Sequence, residues 1–494
     1  MTRKENKMMK SRENMRGQGF LWGLWVLGVV LTALAHTRWN LGILAWVAPV
    51  PFLMALRHTS GWKSRLWVGS GLWLGWALAM MKLTTAPMPL GLAVVFGTPI
   101  AFFLFPGYLV WDRLRKSLSP HAAILSFAGT SVVGEWLQHS FTPFASWGAA
   151  AYTQVNAAEW MQVTSLFGMA GLSFLLYWTA AGVEMTLSSR RVFKVHSYIW
   201  ASVLLCCWTY GSLRISIHSH QSKETTLVAA VSTDATFSPE RFPSAEKLEA
   251  IRKSLFERTQ SAAKSGAKIV VWNEGSTMIV PKKDKAWKAS LQELARRAKI
   301  HLVAAYVVPT RLKPMLYENK FLWIDPSGKV LQEYFKHKPV FGEPAVAGTK
   351  PHRAIHTSFG KVAGAICYDY DFPSIGRAHT ALNIGLAVVP SSDWLGIHGY
   401  HTQMALMRSI EGGYSLLRST RLGLSAGYDP YGTPLAQQSF FDKTNKIMLV
   451  ALPTRPVFTL YSVVGDIVVW FSFVALCVAM LMSLGVLGSL KNEG

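Results

Sequence analysis

Residues 361–373 read KVAGAICYDYDFP, and this stretch gives the first indication of the fold and its chemistry. The apolar run AGAIC predicts a strand that ends at Cys367 and precedes the segment YDYDFP. The other three cysteines, Cys206, Cys207 and Cys477, lie in apolar segments, where a cysteine usually only fills hydrophobic space. Cys367 is therefore a candidate nucleophile, with a core cysteine as the alternative.

The region around Cys367 alternates short β-branched runs with helical patterns. Alternation of this kind predicts an α/β layered sandwich. We predict strands at 225–233, 268–274, 301–308, 361–369 and 386–392, a hairpin at 319–336, helices at 244–264, 285–299 and 400–412, and two strands after the last helix.

The rest of the chain has a different composition. Half of the 494 residues are hydrophobic, and the apolar excess is concentrated in residues 19–213 and 457–490. We therefore predict an N-terminal membrane domain at 1–213, a water-soluble domain at 214–456, and a C-terminal span with its tail at 457–494.

Eight apolar runs are candidates for membrane spans, each of which needs roughly 20 residues. Seven precede the soluble domain and one follows it, so the soluble domain and the N-terminus are expected on opposite faces of the membrane. The runs lie at 20–36, 41–56, 66–86, 88–111, 121–138, 161–187, 197–213 and 462–488.

The formal net charge of +23 is explained by the loops between these runs. Every second loop is basic, whereas residues 139–160 contain no Lys or Arg. This positive-inside pattern places both termini in the cytoplasm and the soluble domain outside it. The remaining basic residues suit contact with an anionic bilayer, and we expect no nucleic-acid partner.

Two further residues of the soluble domain can act with Cys367. Glu274 ends a predicted strand in WNEGS, although it could be a carboxylate near a helix N-cap. Lys336 follows the hairpin in YFKHKP, where it could be a solvated charge and where Lys338 competes for its role. A cation lowers the pKa of a thiol and stabilises an oxyanion, and a carboxylate can accept the thiol proton.

The order Glu, Lys, Cys, each at a strand end, resembles the nitrilase or carbon-nitrogen hydrolase superfamily. The surrounding motifs are similar to its bacterial membrane branch, the apolipoprotein N-acyltransferases. These motifs are WNEGS at 272–276, YFKHKPVFGE at 334–343, CYDYDFP at 367–373 and LRSTRLGLSAGYDPYG at 417–432, and, outside the soluble domain, FASWGAAAYTQ at 144–154, SLFGMAGLSFLL at 165–176 and TLYSVVGD at 459–466.

The resemblance implies a four-layer α-β-β-α sandwich inserted into a polytopic α-helical membrane domain of about eight helices. It also implies a role for each matching residue. Glu274 would be the general base, Lys336 the oxyanion stabiliser and Cys367 the nucleophile. The supporting residues would be the carboxylates Glu343 and Asp369 and the pocket wall Tyr368.

The family's reaction takes a fatty acyl chain from a phospholipid onto the cysteine. The chain then passes to the amino group of the diacylglyceryl-cysteine that begins a bacterial lipoprotein. The resemblance implies a multi-pass protein of the bacterial inner membrane with its catalytic domain on the periplasmic side. No metal or diffusible cofactor is implied, and we expect a monomer.

The sequence departs from the family pattern at several positions, and these departures concern substrate preference and leave the triad intact. Asn273 replaces a proline, Asp369 a longer glutamate and Arg421 an asparagine, and Ser391 and Ser392 stand where Asn-Asp is more usual. One residue is also missing between Lys336 and Phe341.

Three other functions compete with an acyltransferase. A membrane-tethered amidase or nitrilase would use the same triad with water as the acceptor, but it would not need eight spans. A lipid-binding protein that has lost catalysis would not need an intact triad. A transporter would be favoured by paired ionisable residues within the spans, and the apolar runs offer few of them.

Loop charge predicts the topology directly. A reporter enzyme fused after residue 216 should be active only outside the cytoplasm, and one fused after Arg191 only inside it, because lysine- and arginine-rich loops stay in the cytoplasm. Activity assays of paired periplasmic and cytoplasmic reporters measure this. Cytoplasmic activity after residue 216 would overturn the orientation.

Overall fold

The structure is a computed structural model that describes residues 3–86, 88–188, 190–219, 224–235, 243–442 and 446–484. Its α-helices are α1 Arg3–Ala35, α2 Val50–Arg57, α3 Trp62–Met81, α4 Leu92–Ser117, α5 Pro120–Phe141, α6 Ala158–Met161, α7 Thr164–Ser188, α8 Arg190–Ser219, α9 Ala245–Lys264, α10 Asp284–Ala298, α11 Pro373–Ala381, α12 Tyr400–Gly412, α13 Tyr461–Val464 and α14 Ile467–Ser483. The strands are β1 Thr225–Val231, β2 Ile269–Trp272, β3 His301–Leu312, β4 Met315–Ile324, β5 Val330–Phe335, β6 Ile355–Thr357, β7 Gly360–Gly364, β8 Leu386–Ser392, β9 Ser415–Arg421, β10 Leu424–Tyr428, β11 Pro434–Ser439 and β12 Ile447–Pro453.

The chain divides into two compact units. The helical unit comprises Met1–Val163, Phe167–Gly211 and Asp466–Gly494, and the mixed unit comprises Thr164–Leu166 and Ser212–Gly465. The mixed unit contains β1–β12 and α9–α13.

Within the described residues, three helices of the helical unit are long and apolar enough to cross a membrane. They are the part Gly17–Ala35 of α1, α4 and α7. These helices make the chain a membrane protein. The sequence predicts eight spans, which is more than these three helices.

Three of the predicted spans are not continuous helices. The run at 161–187 is interrupted within α7 by the non-helical backbone of Phe167 and Gly168. The run at 41–56 folds into the short 3-10 helix Gly42–Trp46 followed by α2. The eight residues of α2 extend about 12 Å, well short of the roughly 30 Å hydrocarbon core. The run at 462–488 is divided into α13 and α14 by Gly465, whose φ is 56°, and residues 485–488 lie outside the described residues.

Close packing of α4 on α5 organises the helical unit. An added Cβ at Gly134 of α5 would lie 2.2 Å from the carbonyl oxygen of Phe103 in α4. The two backbones are therefore so close that only a small residue fits between them. The buried Glu135 beside this contact accepts hydrogen bonds from the Ala150 backbone N–H and the Tyr177 hydroxyl, each at 2.8 Å. These bonds replace the water that a buried carboxyl group lacks.

The mixed unit is built on two six-stranded sheets. Their strand orders are β12-β1-β2-β3-β4-β5 and β11-β10-β9-β8-β7-β6. The central strands β1–β3 run parallel in one sheet and β7–β9 run parallel in the other. Apolar residues of α9 and α10 share a core with β1–β4, because both helices present an apolar stripe to that sheet.

The sequence predicted two strands after α12, and this number is wrong. The structure has β9, β10, β11 and β12 there. The tight turn between Arg421 and Leu424 separates β9 from β10, and a turn in which Gly432 donates to the Asp429 carbonyl precedes β11. Such short polar turns are the points at which one extended stretch becomes a hairpin.

The two sheets contact each other near the carboxyl ends of their parallel strands. The Ser419 hydroxyl in β9 donates to the Val231 carbonyl at the end of β1, and the Glu274 amide donates to the Ser391 carbonyl in β8. The segments that follow β2, β7 and β8 therefore lie together. Ligands of open α/β sheets commonly bind at this edge.

Candidate active site

Cys367 lies just beyond β7 in a strained backbone conformation. The predicted strand ends at Gly364, and Cys367 begins the 3-10 helix Cys367–Asp371. Its φ of 48° is in the left-handed region, which costs a residue with a Cβ about 1–3 kcal/mol. The Asp369 carboxylate accepts a hydrogen bond from the Ile366 amide at 2.9 Å and so holds the turn in place.

The thiol of Cys367 is buried, and its surroundings favour the protonated form. Its Sγ donates to the Ser392 carbonyl at 3.7 Å. Burial and then the negative charge of Glu274 raise the pKa of the Cys367 thiol well above its ordinary value, while Lys336 and Arg418 act in the opposite direction. A thiol in this state needs a base to become a nucleophile.

Lys336 and two carboxylates form a buried charge cluster beside Cys367. The Lys336 ammonium lies 2.9 Å from Glu274 Oε1 and 2.7 Å from Glu343 Oε2. Burial opposes the ammonium charge, but both carboxylates raise the pKa of Lys336 well above its usual value. Burial likewise opposes ionisation of Glu343, and Lys336 keeps the pKa of that carboxyl below its usual value.

Asn319 in β4 joins this cluster, and the sequence analysis did not single it out. Its side-chain amide donates to Glu274 Oε1 at 2.7 Å and to Glu343 Oε1 at 3.0 Å. The Tyr317 hydroxyl also donates to Glu343 at 3.2 Å. Both residues lie in β4, the first strand of the hairpin that leads to Lys336, but the sequence carries no signal for their contacts with Glu274 and Glu343.

The structure places Lys336 and Lys338 in different surroundings. The Lys338 ammonium lies 4.9 Å from the centre of the Phe372 ring, and its backbone amide donates to Asp369 at 2.7 Å. Lys336 alone of the two contacts the carboxylates of Glu274 and Glu343 in the described part of the chain. Glu274 itself lies in a turn after β2, and no helix begins there.

Asp369 connects three segments around the nucleophile. Besides the Ile366 and Lys338 amides, it accepts a hydrogen bond from the Tyr334 hydroxyl in β5 at 2.8 Å. Burial raises the pKa of this carboxyl. The neighbouring Tyr368 is buried, with its ring edge-on to Phe372 at 5.5 Å. The side chain of Asp369, although shorter than glutamate, spans the required distances.

A second group of polar side chains also lies close to Cys367. Donor atoms of Cys367, Asp393 and His401 lie within 4.8 Å of one another, a spacing that suits a metal ion. The Arg418 guanidinium, however, already lies 3.0 Å from Asp393 and 2.7 Å from His401. The guanidinium of Arg418 thus already supplies a positive charge beside two of these three residues.

Two family models match most of the chain. The carbon-nitrogen hydrolase model matches residues 227–455, and the model of the apolipoprotein N-acyltransferase N-terminal domain matches residues 12–182. Two curated proteins, both named apolipoprotein N-acyltransferase, are similar over most of their length. The protein of Bradyrhizobium diazoefficiens is 26% identical over 75% of this chain and 76% of its own, and that of Borreliella burgdorferi is 25% identical over 89% of each.

The chain belongs to the apolipoprotein N-acyltransferase family. It is an acyltransferase, and its mixed unit has a nitrilase-like fold. Among solved structures, the amidase from Nesterenkonia sp. AN1 matches 47% of this chain and 92% of its own at 20% identity, with a TM-score of 0.39. The two family models and the curated relatives confirm the family resemblance that the sequence indicates.

The structure brings together four residues to which the sequence analysis assigned no role. Arg418 and Asp371 lie within quoted motifs, His401 lies in the predicted helix at 400–412, and Asp393 follows Ser391 and Ser392. The only sequence signal was the presence of ionisable residues in otherwise apolar strand and helix patterns, which is a weak one.

Lys336 and Lys338 provide a matched pair for a test of the acyltransferase. Lys336→Ala should lower the initial rate of acyl transfer by about 10²–10³, the usual effect of removing one donor that stabilises an oxyanion. Lys338→Ala should lower it far less, because that ammonium lies over Phe372. Both rates are compared at a temperature where thermal unfolding shows each variant to be folded, and the reverse ranking would reassign the role.

Proposed function

We propose that this acyltransferase moves a fatty acyl chain from a membrane phospholipid, through a thioester on Cys367, to the N-terminal amine of a diacylglyceryl-cysteine lipoprotein. One observation carries the proposal most strongly. Cys367 lies within the electrostatic reach of Glu274 and Lys336, and these two groups are in direct contact. A base, a cation and a nucleophile are the groups that acyl transfer requires.

In the first half of the reaction, Glu274 takes the proton of the Cys367 thiol, and the sulfur attacks the ester carbonyl of the phospholipid. Negative charge develops on the carbonyl oxygen, and the Lys336 ammonium stabilises it. The carbon–oxygen bond of the ester then breaks, and the leaving alkoxide receives the proton from Glu274. The products are a lysophospholipid and an acylated Cys367.

In the second half, the free amine of the lipoprotein attacks the thioester carbonyl. Glu274 accepts a proton from the attacking nitrogen, and Lys336 again stabilises the oxyanion. The carbon–sulfur bond breaks, and the thiolate of Cys367 recovers its proton from Glu274. The product is an amide at the lipoprotein N-terminus, and the enzyme returns to its starting state.

Glu343 and Asn319 support this cycle by holding Lys336 and Glu274 in position. Glu343 compensates the charge of Lys336, so Glu274 can be protonated in each half-reaction without leaving a buried ammonium unpaired. Asn319 donates to both carboxylates and so fixes their separation. Asp369 holds the backbone at Cys367, and Tyr368 forms the pocket wall beside the thiol.

The proposal includes the membrane arrangement. Eight crossings, with both termini in the cytoplasm and the catalytic unit on the periplasmic side, follow from the alternating basic loops. The discontinuous run at 41–56 would then cross as two short helical pieces. We further propose that the mixed unit has the four-layer α-β-β-α order and that the protein acts as a monomer.

The two half-reactions can be observed separately with purified protein. Phospholipid labelled in its acyl chain should form a thioester on Cys367 that neutral hydroxylamine cleaves, with little release of free fatty acid. Addition of a diacylated lipopeptide should discharge the label into a triacylated product, because an amine attacks a thioester readily once it has lost its proton. Gel autoradiography and mass spectrometry measure both steps.

A protein with Cys206, Cys207 and Cys477 replaced by serine is the matched control and should still be labelled, whereas Cys367→Ser should not. Labelling that survives Cys367→Ser but is lost in the triple variant would refute the choice of nucleophile. Steady release of fatty acid that the lipopeptide neither suppresses nor diverts would identify a hydrolase.

A further inference from the structure

Four buried ionisable side chains form a second charge cluster at the nucleophile, the His401 cluster. Its members are Asp371, Asp393, His401 and Arg418. His401 Nε2 lies 2.8 Å from Asp371 Oδ1, and His401 Nδ1 lies 2.8 Å from Asp393 Oδ1. Each ring nitrogen thus faces a carboxylate.

Arg418 completes the cluster from β9. Its guanidinium holds Asp393 with two nitrogens, at 3.0 and 3.2 Å, and donates to Ser391 at 2.9 Å and Thr402 at 2.6 Å. One of its nitrogens also lies 2.7 Å from His401 Nδ1. A charged His401 has no acceptor nitrogen, so this contact is not a hydrogen bond. Its Nδ1–H and the guanidinium instead both donate to Asp393 Oδ1.

The surroundings of His401 favour its charged form. Burial lowers its pKa and Arg418 acts in the same direction, but Asp371 and Asp393 outweigh them and raise the pKa of His401 above its usual value. His401 also lies in the first turn of α12, where the helix dipole disfavours a cation. The groups that face the ring are Asp371 and Cys367 from the 3-10 helix, Asp393 after β8 and Arg418 from β9.

The cluster is close enough to affect the nucleophile. The sulfur of Cys367, a ring nitrogen of His401 and a carboxylate oxygen of Asp393 lie within 4.8 Å of one another. The thiol donates to the carbonyl of Ser392, the residue before Asp393. Lys336, a further cation near the sulfur, is already paired with two carboxylates.

We infer that His401 is a positioning residue whose protonated ring keeps this cluster electrically neutral, so that a thiolate can form on Cys367. Two carboxylates and two cations balance when His401 is charged. Without its proton, the cluster carries one net negative charge beside the sulfur, and a negative neighbour disfavours a thiolate. The inference rests on the proposed function, since it takes Cys367 as the nucleophile.

Charge balance predicts opposite effects for two nearly isosteric substitutions. His401→Gln leaves one excess negative charge and should raise the thiol pKa, whereas Asp393→Asn leaves one excess positive charge and should lower it, each by roughly one pH unit or more. The double variant is neutral again and should return towards the starting value. Loss of a merely structural contact would not reverse sign between the two variants.

The measurement is the rate of iodoacetamide alkylation against pH, because the thiolate is the reacting form. It uses the full-length protein in detergent with Cys206, Cys207 and Cys477 replaced by serine. Glu411→Gln is the matched control. It removes another buried carboxylate, which is paired with Arg408 at 3.1 Å. Glu411 lies ten residues after His401 in α12 and thus about 15 Å away along the helix axis. This variant should not shift the pH profile of alkylation.

The outcomes separate this inference from the proposed function. Opposite shifts of the thiol pKa support the role of His401 even if no acyl-enzyme forms. The absence of an acyl-enzyme would refute only the proposed function. Shifts in the same direction, or no shift for His401→Gln, would overturn the inference even if acyl transfer were intact. If thermal unfolding shows that His401→Gln is not folded, the Asp393→Asn variant tests the inference. Any result other than a lower thiol pKa in that variant overturns the inference.

Discussion

The burial of the Lys336 ammonium between two carboxylates is the constraint on which the active site depends. A charge taken out of water costs several kcal/mol unless partners in good geometry replace the solvent. Lys336 finds these partners in Glu274, which follows β2, and Glu343, which lies beyond β5. The ion cluster therefore requires that the hairpin, the strand β2 and the segment around residue 343 adopt one relative arrangement.

The same constraint explains why Cys367 can have a strained backbone. Cys367 is held in the left-handed region by the hydrogen bonds of Asp369, and Asp369 is itself attached to Tyr334 at the end of the hairpin. Strain of this kind persists only where several independent contacts hold the conformation in place. The hairpin that carries Lys336 thus also fixes the turn that presents the thiol.

The charges around the thiol belong to two buried clusters. The Lys336 cluster pairs one cation with two carboxylates, whereas the His401 cluster pairs two cations with two carboxylates when His401 is charged. Small changes in protonation then have large effects, because charges interact more strongly where water is excluded. In the proposed reaction, the thiol stays neutral until a substrate arrives and a proton moves to Glu274.

The sequence by itself determined the features that depend on local pattern. The apolar runs, the basic loops, the alternating elements of the mixed unit and the motifs around Glu274, Lys336 and Cys367 were sufficient for the family and for the outline of the fold. The sequence did not determine whether Lys336 or Lys338 meets the carboxylates, that Asn319 bridges them, or that His401 lies between Asp371 and Asp393. It also misjudged the number of strands after α12 and the continuity of the run at 41–56. These features were decided by the tertiary structure, because they depend on which side chains from distant strands are buried together, and hydrophobic periodicity carries no information about such contacts.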